Sequence, residues 1–349
     1  MPDALTPRSR SRRRRRPRVG LVLGAGGLLG SAWTAGVLSV LAERLDRPPG
    51  ELDLVLGTSA GAVLGAALRC GMGVPELLAH QRGADPAGVP DRRPDELPEM
   101  CTIERESGYG RPPVPLLRPG SPRLLAAAAV APCRVNPVVA ASGLLPLGRA
   151  RMTSLVQMVD VLQSRLGARA DGWVPGAPLW VVALDYDSGH RAVFGRAGAP
   201  AASVADAVLA SCSIPGWFAP HVIGGRRYVD GGVASATSLG LLARPGAPEL
   251  DELYVLAPLA SYAYDRPTDP VAVVERRVRR LLTRWLDAEV RAVRALGTRV
   301  TVLTPGATDL QAMGGNLMNP RRRVQVLETA LATSAGVLDA AVVAGRSAA

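Results

Sequence analysis

Residues 19–23 form an unbroken apolar run, the pattern of a strand buried on both faces, and glycines at 24, 26 and 27 end it. Trp33, Val37, Leu38 and Leu41 then fall on one helical stripe, which Arg44 and Pro48-Pro49 close. The same order returns at 53–70. Asp53 opens an apolar run that reaches Gly57-Thr58-Ser59-Ala60-Gly61, and small residues at helical spacing follow. Two strand–turn–helix units in succession, 19–45 and 53–70, predict neighbouring parallel strands under right-handed crossovers. Both turns are then expected at one carboxyl edge of one sheet.

The pattern changes after Gly71. Residues 85–122 are rich in Pro, Arg, Asp and Glu, apolar stretches broken by alanine and proline follow at 124–130 and 135–147, and a helix is predicted at 153–166. Segments of this kind either cover a site or pack locally in solvent, so 85–150 reads as an insertion of one sort or the other. Residues 179–184 read as a buried strand, Asp187-Ser188-Gly189 as a turn, and 192–194 as its hairpin partner. A helix at 203–211 runs into Ala210-Ser211-Cys212-Ser213-Ile214-Pro215-Gly216-Trp217-Phe218. A short strand pair, 222–223 and 227–229 around Gly224-Gly225, then delivers Asp230-Gly231-Gly232.

Strands at 253–256 and 300–303, with helix starts at Asp269-Pro270 and Asn319-Pro320, make 241–349 a completion of the same fold. In the helix from 271 to 296, Val274, Val278, Leu281, Trp285 and Leu296 lie near one stripe. Arg276, Arg277, Arg280, Arg284 and Arg291 occupy its other face, which could touch anionic lipid but is expected in solvent. Val324, Leu327, Leu331 and Leu338 of the last helix are expected in the core.

Charge changes this picture little. The net charge is +11, but eight arginines between residues 8 and 18 carry most of it and only +3 is left for the remainder. Residues 1–18 therefore read as a disordered Arg-rich tail, able to touch an anionic membrane surface peripherally but not to specify a nucleic acid. Aromatics are 4% of the chain, too few for base-stacking platforms. Residues 19–41 are uncharged and follow the basic tail, which imitates a membrane anchor, yet their glycines split them into strand, turn and helix. Cys70, Cys101, Cys133 and Cys212 are far apart without a C-x-x-C pair, so they read as reduced thiols of a cytoplasmic, at most membrane-surface-associated protein. With three histidines in the chain, no metal site is expected. No nucleotide cofactor is expected either, because Leu29 stands where a dinucleotide fingerprint needs its last glycine.

The candidate chemistry lies in the turns. A serine within G-x-S-x-G between a strand and a helix has the form of a nucleophile elbow, although Ser59 also suits a plain helix N-cap. The 24–27 turn offers consecutive N–H groups near a helix N-terminus, which suits an oxyanion. A serine hydroxyl needs a base to take its proton. His221, beside Pro220, reads as structural. Asp230, at a strand end before two glycines, is the better candidate, with a simple turn residue as the alternative.

In order and spacing, Gly24-Ala25-Gly26-Gly27, Gly57-Thr58-Ser59-Ala60-Gly61, Ala210-Ser211 with Pro215 and Phe218, and Asp230-Gly231-Gly232 resemble the patatin-like phospholipases. The resemblance covers roughly residues 19–240. It implies a three-layer α/β/α fold with a mainly parallel central sheet; together with the irregular cap-like insertion at 85–150 and the C-terminal completion at 241–349, one domain over 19–349 is expected. The resemblance further implies a lipid acyl hydrolase that cleaves carboxylic esters through an acyl-Ser59 intermediate, with Asp230 as base. Backbone groups of Gly26, Gly27 and Leu28 would form the oxyanion hole, and Gly57 and Gly61 would shape the elbow. Two departures stand out: Leu29 replaces the arginine usual before the last glycine, and Ala25 replaces a common glycine. The alternative implied function is a catalytically silent lipid-binding or regulatory protein on the same fold.

Overall fold

A computed structural model describes residues 16–83, 116–150, 152–166 and 172–347. Most of the Arg-rich tail, the Pro-rich first half of the 85–150 insertion and Cys101 lie outside these described residues.

The two predicted units form as expected. Strand β1 (Val19–Leu23) leads into helix α1 (Gly27–Arg44), and β2 (Leu54–Thr58) into α2 (Ala60–Arg69), followed by α3 (Val74–Arg82). β1 and β2 pair in parallel with Leu23 opposite Gly57, which levels the two turns at one sheet edge. At the far end Asp53 accepts from the Val19 N–H at 2.7 Å and ties the strand starts together.

The insertion holds a two-stranded ribbon, β3 (Leu116–Pro119) with β4 (Pro146–Leu147), and helices α4 (Pro122–Val130) and α5 (Pro137–Ser142). Leu124, Val135 and Val139 seat it on Leu184, Tyr186 and Val229. Then come α6 (Thr153–Leu166), β5 (Leu179–Asp185), β6 (Arg191–Phe194), α7 (Val204–Cys212), β7 (His221–Ile223) and β8 (Arg226–Asp230). The remainder is β9 (Glu252–Leu256), α8 (Pro270–Arg294), β10 (Arg299–Leu303), α9 (Ala307–Met313) and α10 (Arg323–Ser347).

One eight-stranded sheet organises these elements. β10, β9, β1, β2 and β5 run parallel in that order, and β6, β7 and β8 add antiparallel pairings. Alternate side chains enter two cores, the arrangement of a sheet covered on both faces. Leu21, Leu23, Val55 and Val181 pack with Trp33 and Leu38 of α1, Leu64 of α2, Val208 of α7 and Leu327 of α10. Val22, Leu56, Val182 and Val255 pack with Leu286 and Val290 of α8 on the other side. The result is the three-layer α/β/α arrangement with mostly parallel strands.

The register around β5 decides the site. β6 pairs along one edge of β5, placing Val182 opposite Val193 and Ala183 opposite Ala192. The other edge is shared. β2 runs up it until Thr58 faces Val182, while β8 runs down it until Asp230 faces Ala183. Two strands that are far apart in sequence thus meet head-on.

Two helical expectations need correction. The 274/278/281/285 stripe of α8 does not enter the core: Val274 is 58% and Leu281 43% exposed, and Leu296 just beyond the helix is exposed as well. Ala272, Leu286, Val290 and Val293 are the buried apolar residues, and Arg276 and Arg279 are buried with them. Those arginines have fixed acceptors there, which makes their burial tolerable. Arg276 pairs with Asp265 at 2.9 Å and donates to the carbonyls of Leu310 and Gly314. Arg279 pairs with Glu275 and donates to the carbonyls of Pro258 and Ala260. In α10, Leu327 and Leu338 are buried with Val326 and Ala330, whereas Val324 is exposed near the helix start.

Among the described residues no helix is long and apolar enough to cross a membrane. The anchor-like 19–41 segment is β1 and α1, with Leu21, Trp33, Leu38 and Leu41 fully buried.

Candidate active site

Ser59 stands between β2 and α2 with φ 54° and ψ −124°, a conformation that a non-glycine residue holds only when its surroundings impose it. Its surroundings do so. The Ser59 N–H donates to Ser211 Oγ at 2.8 Å, and Ser211 Oγ donates to the Val182 carbonyl at 2.6 Å, which anchors the turn to β5. Gly61 presses on the end of β1, where a Cβ would lie 2.0 Å from the Leu23 carbonyl oxygen. Gly57 faces the first turn of α2, where a Cβ would lie 2.5 Å from the Gly61 carbonyl oxygen. Ser59 occupies the N-cap position of α2, but its hydroxyl makes no capping bond.

That hydroxyl interacts instead with the Asp230 carboxyl and the Cys212 thiol. Asp230 ends β8, where its N–H donates to the Ser213 carbonyl at 2.9 Å and its Oδ1 accepts from the Gly232 N–H at 2.7 Å. The turn-residue reading and the contact with Ser59 are therefore both realised by one carboxyl. Ser59 and Asp230 are each 6% exposed. Burial raises the Asp230 pKa to about 6, against the opposing effects of Ser59 and the Gly232 N–H. Burial and the neighbouring Asp230 charge also push the Cys212 thiol well up, so it stays protonated.

The glycine turn adjoins both. Gly24 donates to the Leu256 carbonyl, Ala25 to Ala236 and Leu29 to Leu317, all within 2.9 Å. Among the described residues this leaves the N–H groups of Gly26, Gly27 and Leu28 without a protein acceptor, at the N-terminus of an 18-residue helix. Gly27 has φ +60°, and a Cβ there would come 2.7 Å from Met318 Sδ. Gly232 lies against Ala25, which brings the turn beside Asp230. Leu29, in the place where the resembling family carries arginine, is fully buried and fills the core.

A cavity of about 160 Å³ opens beside the turn. Ala25, residues 234–237, Leu259, Leu282, Trp285 and Glu289 line it, with Asn136 contributed by the start of α5. His221 is not part of this group. Its Nε2 lies 3.0 Å from Asp206 Oδ1 on α7. Among the described residues no cluster of His, Cys, Asp and Glu could hold a metal ion.

Sequence reasoning missed three contributors: Ser211 as acceptor for the Ser59 N–H, Cys212 beside Ser59 and Asp230, and Ala236, which fixes Ala25. Ser211 and Cys212 stood in a motif already singled out, but nothing local connects them to a serine some 150 residues earlier.

The chain resembles VipD from Legionella pneumophila, with 16% identity over 93% of this chain and 67% of that one, at a TM-score of 0.42. It also resembles the type III effector protein ExoU, with 16% identity over 93% of this chain and 53% of that one, at a TM-score of 0.34. It thus spans about two thirds of the first and half of the second. The family model for patatin-like phospholipases matches residues 21–243, from within β1 to beyond Asp230. With the glycine turn, the serine elbow and the aspartate strand end all inside that stretch, the chain belongs to the patatin-like phospholipase family.

Proposed function

We propose that this protein is a lipid acyl hydrolase that cleaves carboxylic esters through an acyl-Ser59 intermediate. The observation that carries the reading is the head-on meeting of β2 and β8 on β5. It sets a strained serine hydroxyl against a buried carboxyl, beside a row of unengaged N–H groups.

In this reading Ser59 Oγ attacks the ester carbonyl carbon while its proton passes to Asp230. The N–H groups of Gly26, Gly27 and Leu28 stabilise the oxyanion, a contribution typically worth ~10²–10³ in rate per donor. The tetrahedral adduct collapses, the ester C–O bond breaks, and the alcohol leaves with the proton from Asp230. Water then gives a proton to Asp230 and attacks the acyl-serine, which releases the fatty acid and restores the Ser59 hydroxyl. A base with a pKa near 6 is ionised at neutral pH yet basic enough to accept the proton. The step uses no metal or nucleotide. We further propose one domain over 19–349, preceded by the Arg-rich tail, with the 116–150 part of the insertion serving as a cap whose Asn136 reaches the cavity.

The test is covalent labelling with a fluorophosphonate, run beside hydrolysis of a panel of phospholipid, lysophospholipid, glyceride and simple esters. Wild type should label and hydrolyse, Ser59→Ala should do neither, and Asp230→Asn should lose at least ~10³ in kcat. Wild type that neither labels nor hydrolyses any ester would leave the silent lipid-binding protein as the reading. Full activity in Asp230→Asn would remove the dyad while keeping the class.

A further inference from the structure

Helix α8 is oriented against its own composition. Its inward face buries two arginines, while Val271, Val274, Val278, Leu281 and Trp285 lie exposed at three- and four-residue intervals. At 1.5 Å per residue the exposed stripe is about 21 Å long. A contiguous apolar patch of this kind marks an interaction surface. Arg277, Arg280, Arg284 and Arg291 are exposed on the next sector of the helix, and among the described residues none has an acidic partner. The acids of α8 are all engaged elsewhere. Glu275 pairs with Arg276 and Arg279, Asp287 accepts from the Tyr262 hydroxyl at 2.6 Å, and Glu289 accepts from Thr237 at 2.8 Å. The outward face is thus apolar on one side and purely cationic on the other, the composition of a helix that lies in a lipid interface. Tyr262 and Tyr264, 60% and 75% exposed, precede the helix as amphipathic aromatics suited to the headgroup level.

We infer that the outward face of α8 is the surface by which this protein docks on an anionic lipid bilayer. The inference deepens the lipid hydrolase reading and rests on it for its purpose: Trp285 belongs to both the stripe and the cavity lining, and Ala25 of the glycine turn lines the same cavity. A bilayer on the stripe therefore adjoins the cavity that Ala25 of the glycine turn lines. A second copy of the chain fits less well, because the face offers no acid to pair with another copy's arginines.

The experiment uses the full chain carrying Ser59→Ala, so that binding is read independently of catalysis, in co-sedimentation with vesicles. One set is phosphatidylcholine and the other phosphatidylcholine mixed with phosphatidylglycerol. The protein should sediment with the mixed vesicles and release as salt is raised. Each arginine near an anionic surface contributes about fivefold to partitioning, so Arg277→Glu/Arg280→Glu/Arg284→Glu, which removes three such charges and adds three repelled ones, should lose at least on the order of 100-fold. Val274→Ser/Leu281→Ser should lose at least about tenfold on the same vesicles. Melting curves matching the parent establish that both variants fold. Absence of binding by the parent, or parental binding by both folded variants, overturns the inference and in the second case moves the contact to another surface such as the Arg-rich tail. A parent dimer in light scattering that Val274→Ser/Leu281→Ser splits overturns it in favour of self-association. Failure of the hydrolase reading would show in the ester panel, with this binding result unaffected.

Discussion

Asp230 is where the physics of a single residue is clearest. Its carboxyl is buried with Ser59 and the Gly232 N–H as its polar neighbours, and its pKa rises to about 6. Activity should therefore fall as pH drops through about 6, a limb in the pH profile of kcat/KM well above that of a solvated carboxylate. The same shift fixes a stability prediction. Below pH ~4 the carboxyl is protonated in both folded and unfolded chains, so it costs nothing. Above about 6 it is charged in both, and the folded state bears a penalty on the order of 3 kcal/mol. Asp230→Asn should thus gain stability over wild type in urea unfolding at pH 8, and the gain should vanish near pH 4. Ser211 acts on Ser59 through the backbone. Removing its hydroxyl leaves the Ser59 N–H buried without an acceptor, so Ser211→Ala should cost about 1–3 kcal/mol of stability. If Ser59 is the nucleophile as proposed, the change should also lower kcat about tenfold with little change in KM, since Ser59 shifts and the pocket does not. Ser59 and Asp230 were legible in the sequence because glycines crowd around them for steric reasons. The partners of the glycine turn were not, because an N–H donor carries no sequence signal for where its acceptor lies.

At the scale of the element, α8 is the instructive case. Its sequence contains two stripes of helical period, one strongly apolar and one of mixed character. Periodicity alone selects the apolar one for the core, but the fold buries the mixed one. What decides is the supply of acceptors opposite it: Asp265, Glu275 and four backbone carbonyls receive Arg276 and Arg279. One of those carbonyls belongs to Pro258, whose ring packs against Gly26, so Arg279 also braces the glycine turn. Arg279→Ala should leave Glu275 buried with one partner fewer and cost about 3–5 kcal/mol, measurable in chemical denaturation. A cost under about 1 kcal/mol would mean that the buried pair contributes nothing to the packing of α8. By contrast α1, α2 and α7 form where their sequence patterns place them, and α1 is buried almost all round, between the sheet and α10.

For the molecule as a whole, β9 pairs with β1, β10 with β9, and α10 covers α1. All three lie beyond residue 243, where the family match ends. A fragment ending at 243 would expose one edge of β1 and the face of α1 that Ala330 touches at Gly36. It should not show a cooperative thermal transition, whereas the full chain should, as followed by circular dichroism. A cooperatively folding fragment would make 241–349 a separate addition rather than the completion of the fold.

The amino-acid sequence by itself determined the strand–turn–helix units and the parallel pairing of β1 with β2, and it singled out Ser59 and Asp230 as candidates. These follow from local sterics and from apolar periods that fit only one element type. The tertiary structure alone decided that β2 and β8 end against each other on β5, and that the apolar stripe of α8 faces outward. Both outcomes depend on which surfaces compete for burial once the whole chain is assembled. That competition is settled by acceptors and register partners that lie tens to hundreds of residues away.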